Sequence, residues 1–298
     1  MYLVYNYNQF RIKIKTCKRG LILNYGCTLN FNCVIMGQRN IEQRQGVFML
    51  DNKGNGKKTI AVIMGGRSSE HEVSLVSATT IAKNIDQNKY DILLIGITKE
   101  GEWLLVDSLE DVKSGAWTSG KRHVLPSPET GKGLLYIIDG DKIEKQHIDV
   151  AFPALHGLNG EDGTIQGIFE MAKIPYVGCG VGASSNSMDK FFTKIIVDSI
   201  GISQANFVGV YRKELQDMDR VIARVEKEFS YPMFVKPSCA GSSQGVSKAK
   251  NREGLVKALK IAAEHDFKIL VEQAIVGREL ECAVLGGDAA EASGIGEV

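Results

Sequence analysis

The stretch FVKPSCAGSSQG, residues 234–245, begins as a strand and ends as a loop rich in donors. Phe234 and Val235 favour extended backbone, and a strand ending there delivers Lys236 to the sheet edge. Pro237 has no N–H and stops the ladder. Gly241 and Gly245 let the chain fold close to a ligand, and Ser242 and Ser243 add hydroxyl and amide donors. A fixed cation beside such a loop suits phosphate. The lysine precedes the glycines, so the order is not that of the common P-loop. Standing alone, the stretch is equally well a hairpin with an exposed lysine.

It has companions. In LVEQAIVGRELECAV, residues 270–284, Glu272 ends one strand and Glu279 begins the next. A carboxylate at a strand end can accept from an adenine amine or from ribose hydroxyls, and the backbone at Gln273 and Ile275 offers donor and acceptor groups. Lys190 lies in the first turn of the MDKFFTK helix, where the helix dipole disfavours a cation. A bound anion would remove that conflict; the plainer alternative is a snorkelling lysine.

Around these residues the second half reads as α+β, with short antiparallel strands and helices on one face. ANFVGVY (205–211), YPMFVKP (231–237), KILVEQ (268–273) and RELECAVLG (278–286) are strands, with 245–248 as the hairpin partner of YPMFVKP. A charged helix runs to about Glu228, and Leu255, Leu259 and Ala262 mark another. Met188, Phe191, Phe192, Ile195 and Ile196 form a helical stripe capped by Ser187, read as core.

The first half opens as a doubly wound α/β domain. TIAVIM (59–64) is a buried parallel strand bounded by Gly65-Gly66. Ser68 or Ser69 caps a helix with Glu70 and Glu72 in its first turn and Val73, Val76, Ile81 and Ile85 along it. Strands at 92–97 and 102–106 follow, the chain is polar or short-stranded over 107–146, and a buried strand resumes at 148–153. Ile165, Ile168, Phe169 and Ala172 repeat as an amphipathic helix, and 174–178 is a short strand ending in a turn. The glycine turn lacks G-x-G-x-x-G, which argues against NAD.

The composition is that of a globular chain long enough for two domains or more: 298 residues, net charge +1, 44% hydrophobic and 24% charged. Near-neutral charge offers no case for nucleic acid or an anionic membrane, and no apolar run spans a bilayer. Six cysteines form no C-x-x-C pair, which reads as a reducing compartment with incidental thiols; Cys17, Cys27 and Cys33 match no metal motif. Residues 1–56 lack sustained patterning and are left unassigned: an extra small domain, a disordered extension or, the favoured reading, upstream DNA translated from a misjudged start, with Met49 just before the patterned chain.

Five phrases now fall in order: SSEHEVS (68–74), ALHGLNGEDGTIQG (154–167), IPYVGCG with MDK (174–180, 188–190), FVKPSCAGSSQGVSK (234–248) and LVEQAIVGRELECAVLG (270–286). The set resembles the D-alanine–D-alanine ligases of the ATP-grasp superfamily, over 57–298. HGLNGEDGTIQGIFE and CAVLG resemble the subgroup that includes D-alanine–D-serine and D-alanine–D-lactate ligases. The resemblance implies an N-terminal α/β domain (57–180), then an ATP-grasp lobe and the start of a second (181–298). It implies a cytoplasmic enzyme making D-alanyl-D-alanine for peptidoglycan: ATP phosphorylates one D-alanine, and the amine of a second attacks the acyl phosphate. Lys190 and Lys236 would bind ATP phosphates, Glu272 and Glu279 adenine and ribose, and Gln273 and Ile275 would line the base. Ser242 and Ser243 would cover the phosphates and first substrate. Glu72 would pair with the D-alanine ammonium and His156 polarise its carboxylate, with Gly160, Glu161, Asp162 and Gly163 shaping the loop beside it. The Mg²⁺ or Mn²⁺ ligands, the lid and a transition-state arginine are expected beyond Val298, so the chain as written is expected to be a poor or inactive catalyst. A homodimer through the N-terminal domain is implied too. The second substrate stays open, and the rivals are another ATP-grasp carboxylate–amine ligase and a non-catalytic nucleotide-binding module.

Overall fold

The computed structural model describes the backbone of residues 12–17 and 20–25, and residues 56–286 and 290–297. Strands β1 (Ile12–Cys17) and β2 (Gly20–Tyr25) pair antiparallel within the expected extension. The other residues up to 55, and the side chains of Cys17, Cys27 and Cys33, lie outside the described residues. The chain divides into two compact units, one of Met36–Gly182 and one of Met1–Ile35 with Ala183–Val298.

The first unit holds a seven-stranded sheet of order β8-β7-β6-β5-β4-β3-β9. Its parallel part is β3 (Lys58–Gly65) between β4 (Tyr90–Ile97) and β9 (Val150–Pro153). β3 is buried on both sides, with Ala61, Val62, Ile63 and Met64 at most 1% exposed, as a strand with both faces covered requires. β5 (Trp103–Val106), β6 (Arg122–Pro126), β7 (Leu134–Asp139) and β8 (Lys142–His147) continue the sheet as an antiparallel meander. The region expected to be short-stranded thus supplies three of the seven strands. Helix α1 (His71–Asn84) connects β3 to β4, α2 (Leu109–Ser114) follows β5, and α3 (Thr164–Ala172) follows β9. Ala61, Ile63, Ile95, Phe169 and Ile174 share one core.

Three local expectations are corrected here. Val73 and Val76 of α1 are 52% and 69% exposed, and the helix packs through His71, Ser74, Ala78, Ile81 and Ala82 instead. Its N-cap is Glu70 without a side-chain bond; Ser68 Oγ accepts from the Glu70 amide at 3.1 Å. The strand expected at 174–178 is a single parallel bridge, Tyr176 to Ala151.

The second unit carries a four-stranded antiparallel sheet of order β10-β13-β11-β12: β10 (Phe207–Tyr211), β11 (Met233–Pro237), β12 (Ser247–Ala249) and β13 (Lys268–Gln273). Alternation along each strand separates its two faces. Val210, Met233, Val235, Ala249, Ile269 and Val271 pack on the helices Met218–Glu228 and Arg252–His265 through Val221, Ile222, Val225, Leu255 and Leu259. The other face carries Phe207, Phe234, Lys236 and Glu272. Helix α4 (Val181–Met188) precedes α5 (Lys190–Ser199). The cap of α5 is Asp189, not Ser187, and its buried residues are Lys190, Thr193, Lys194 and Val197. Phe192 and Ile195 are 47% and 44% exposed, so the apolar stripe expected as core does not form one. Short strands Leu280–Glu281, Val284–Gly286, Ala290–Ala292 and Gly296–Glu297 pair beyond β13.

Candidate functional site

Strand register brings the expected charges together. Glu272 sits across from Phe234 of β11 and from Phe207 of β10, and Lys236 lies two residues beyond Phe234 on the same face. Lys236 Nζ reaches Glu272 Oε2 at 2.5 Å. A second lysine joins from α5: Lys194 Nζ lies 3.3 Å from Glu272 Oε1. Lys194 and Glu272 are each 1% exposed. Oε1 has no hydrogen bond of good geometry among the described residues, so a buried acceptor stands ready for a donor. Burial pushes the Glu272 carboxyl upward, but Lys236 and Lys194 outweigh it and hold the pKa below the usual value. Burial lowers the Lys194 ammonium; Glu272 pulls it back only in part, and Lys236 pushes it lower still.

Lys190 is buried beside this group, fixed to the start of the loop after β11. Its ammonium donates to Ala240 O at 2.6 Å and to Ser238 O at 3.3 Å, and its amide donates to Ser238 O at 3.1 Å. Protein carbonyls therefore already accept from this cation at a helix N-terminus, and its position alone does not require an anion. Asp189 caps α5 by accepting from the amides of Phe191 and Phe192 at 3.1 and 3.3 Å. It also accepts from Ser238 Oγ at 2.5 Å and pairs with Lys268. The Cys239 amide donates to Asp266 Oδ2 at 2.7 Å. Burial, then Asp189 and Asp266, push the Cys239 thiol up to about 12. Segments 189–192, 238–240 and 266–268 are tied into one knot. Sequence reasoning named Lys190 and Lys236 but missed Lys194, Asp189, Ser238 and Lys268.

Beyond the knot the loop turns on itself. Ser242, Ser243 and Gly245 have φ of 46°, 57° and 69°. Gln244 N donates to Gly241 O at 3.0 Å and Val246 N to Ser243 O at 3.2 Å. A Cβ on Gly245 would meet the His265 ring at 2.6 Å and Pro237 at 2.8 Å, so only glycine passes there. The Gln273 amide donates to Asn206 O at 3.0 Å, so that donor is already used in the sheet. Ile275 and Glu279 are partly buried in the segment that follows.

In the first unit, strand ends meet the start of α1. Ser74 Oγ donates to Ala154 O at 2.6 Å and accepts from Gly65 N at 2.7 Å. His71 Nδ1 donates to Gly66 O at 2.8 Å, and its ring stacks on Trp117. Glu72 projects from the first turn of α1, 71% exposed in its side chain, paired with Lys99 at 2.8 Å; that partner holds its carboxyl below the usual range. His156 follows β9: Ser68 Oγ donates to its carbonyl at 2.8 Å, and its Nε2 lies 3.0 Å from Ser77 Oγ. Burial pushes its imidazole below the usual value, against an opposing pull from Glu70. Glu161 accepts from Gly157 N, and Asp162 from the amides of Asn159 and Thr164, which closes the loop onto α3 as its structural task requires. Among the described residues no group of three His, Cys, Asp or Glu could hold a metal ion, and no helix is long and apolar enough to cross a membrane.

Models of the D-ala D-ala ligase N-terminus and C-terminus match residues 59–179 and 196–298. The chain is 51% identical over 253 residues to the D-alanine--D-alanine ligase of Ruminiclostridium cellulolyticum, covering 81% of this chain and 67% of that protein. It is 49% identical over 259 residues to that of Acetivibrio thermocellus, covering 81% and 68%. Among solved structures, the VanG D-Ala:D-Ser ligase of Enterococcus faecalis superposes with a TM-score of 0.74 at 40% identity, covering 81% of this chain and 69% of that one. An N-terminal α/β unit followed by an ATP-grasp lobe is the architecture they share. With matches across both of its units, the chain belongs to the D-alanine–D-alanine ligase family.

Proposed function

We propose that this chain carries the ATP-binding lobe and the first D-alanine site of an enzyme that joins two D-alanines into D-alanyl-D-alanine for peptidoglycan. Lys236, Lys190 and the 241–246 loop with Ser242 and Ser243 serve the phosphates. Glu272, Gln273, Ile275 and Glu279 serve base and ribose. The observation that carries this is the buried carboxylate Glu272, gripped by Lys236 and Lys194 with Oε1 still able to accept a donor such as an adenine amine. Ionised, it is acceptor-only, which favours a 6-amino over a 6-oxo purine.

Glu72, in an exposed first helical turn, takes the ammonium of D-alanine in exchange for Lys99. His156, kept neutral by burial, works as a hydrogen-bonding polariser of the carboxylate rather than as a cation. The divalent metal, Mg²⁺ or Mn²⁺, supplies charge on the phosphates when bound, and no residue of this chain is assigned to it. A cytoplasmic homodimer is the proposed setting. D-Alanine as second substrate is favoured by the curated relatives, while the likeness to a D-Ala:D-Ser ligase keeps D-serine as the second possibility. The test is phosphate release with ATP and D-alanine, with the dipeptide followed by mass spectrometry. Release that depends on both substrates and yields dipeptide supports the proposal. Because the chain as written is expected to turn over poorly, binding is read beside release: ATP that binds with no D-alanine-dependent release and no change in its affinity on adding D-alanine leaves a binding module and refutes it.

A further inference from the structure

The buried group on the other face of the second sheet brings two ammonium groups, Lys194 and Lys236, to the Glu272 carboxylate. Lys194 is gripped on several sides: Glu272 Oε1 at 3.3 Å, Ala205 O at 3.1 Å, Gln204 Oε1 at 3.3 Å and the Phe207 ring 5.2 Å beneath it. Gln204 in turn donates to Lys194 O at 2.7 Å, which fixes the residue from its backbone as well. Lys236 ends β11 where the chain turns into the 238–245 loop, and its 2.5 Å bond to Glu272 Oε2 uses the other carboxylate oxygen. An ammonium has three donors, but a nucleotide phosphate competes with Glu272 for the same positive charge and draws Lys236 away from it. If Lys236 left alone, Glu272 would stay buried and uncompensated, which proteins avoid.

We infer that Lys194 is a positioning residue that releases Lys236: it keeps Glu272 compensated while Lys236 turns from the carboxylate to a nucleotide phosphate. Like-charge repulsion between the two ammonium groups favours the same exchange. The inference rests on the ATP assignment above and deepens it, since it concerns how the unliganded site gives up a cation.

The experiment compares the affinities of ATP and adenosine, both in EDTA, for the full chain by titration calorimetry. The ratio of the two constants reads the phosphate contribution apart from the base. In Lys194→Met, Lys236 stays on Glu272, and the ratio falls about tenfold, the weight of one hydrogen bond between charged groups. Lys236→Met lowers the ratio similarly in the wild-type background and not further in Lys194→Met. A purely structural role for Lys194 would weaken ATP and adenosine alike and leave the ratio unchanged; that result overturns the inference. Should Lys194→Met fail to fold by circular dichroism, Gln204→Ala decides, since it loosens Lys194 from a less buried position. A two- to threefold fall, roughly one weakened hydrogen bond, supports the inference, and an unchanged ratio overturns it. Wild-type chain that binds neither ligand sinks the ATP assignment, and the inference with it; wild-type chain that binds both equally overturns the inference alone.

Discussion

Lys268→Met tests whether the knot under the 241–246 loop has the strength its geometry implies. Lys268 pairs with Asp189, the two side chains being only 11% and 8% exposed. Its ammonium also lies 4.2 Å from the Phe192 ring centroid. Methionine keeps much of the stem and deletes the charge, so a buried carboxylate loses its cation. Breaking such a pair from one side costs about 3–5 kcal/mol. Asp189 keeps Ser238 Oγ and two backbone amides, which puts the loss near the lower end, about 3 kcal/mol. With a urea m-value of about 2 kcal/mol/M for a unit of this size, the midpoint falls by about 1.5 M. Because the chain has two units, whole-molecule signals would mix them, and both tryptophans, Trp103 and Trp117, lie in the first. The assay is therefore pulsed hydrogen exchange along a urea series, read on peptides from β11 and β13, with β3 as internal reference. A shift below about 0.5 M would mean the pair is worth no more than a surface salt bridge. That result, or an equal shift in β3, refutes the claim that this pair anchors the second unit.

Three further outcomes are expected. The His156 imidazole titrates below 6.5 by NMR, since burial favours its neutral form over the pull of Glu70. With a depressed folded-state value, the stability it contributes is complete above about 6.5 and lost as pH falls through the folded pKa; a value above 6.5 would contradict the burial argument, and one above about 7 would make it mainly a cation at neutral pH and contradict the assigned role. Cys239, with its thiol pushed up to about 12, reacts with iodoacetamide at pH 8 at least ten times more slowly than N-acetylcysteine in the same tube, because its thiolate fraction is smaller by orders of magnitude and burial slows attack further. Equal rates by mass spectrometry would show that Cys239 is not buried beside Asp189 and Asp266 as described. Gly65→Ala places a Cβ 2.3 Å from Ile97 O at a φ of 85°, and costs about 2–4 kcal/mol from strain plus steric overlap. A variant as stable as the parent in thermal unfolding followed by tryptophan emission would show that the β3–α1 turn is more pliable than drawn.

The parts of the fold legible in the sequence were those fixed by local chemistry. TIAVIM reads as a doubly covered strand because every residue after Thr59 is apolar, and β11 reads as a strand stopped by Pro237 because proline offers no donor. The meander over 107–146 was harder, since β8 is polar except for an exposed Ile143, and such an edge strand carries no hydrophobic period. One signal was present: Gly140-Asp141 between two extended runs, with Gly140 at a φ of 58°, is a two-residue hairpin turn. α1 misled for a related reason. Its valines sit at helical spacing yet face solvent, while Ser74 faces inward, because the strand ends needed a hydroxyl to bridge Gly65 N and Ala154 O.

The site shows the same division between one-residue chemistry and register. Lys236 and Glu272 were found separately, each by its place at a strand end, and their 2.5 Å contact follows from an antiparallel offset that no local pattern encodes. Lys194 was lost to the apolar stripe beside it. Assigning Phe191, Phe192, Ile195 and Ile196 to the core turned α5 the wrong way round, and with Asp189 as cap the buried residues are Lys190, Thr193, Lys194 and Val197. Lys190 and Lys194 stand four residues apart, one above the other on a helix face. Two lysines at that spacing, with a threonine and a valine completing the face, form a coherent polar side that apolar periodicity alone outvotes. A buried polar face becomes favourable only when a carboxylate arrives to meet it, and Glu272 arrives from β13, far along the chain. The sequence thus holds both halves of the pair, but the helix orientation that joins them is decided by their meeting.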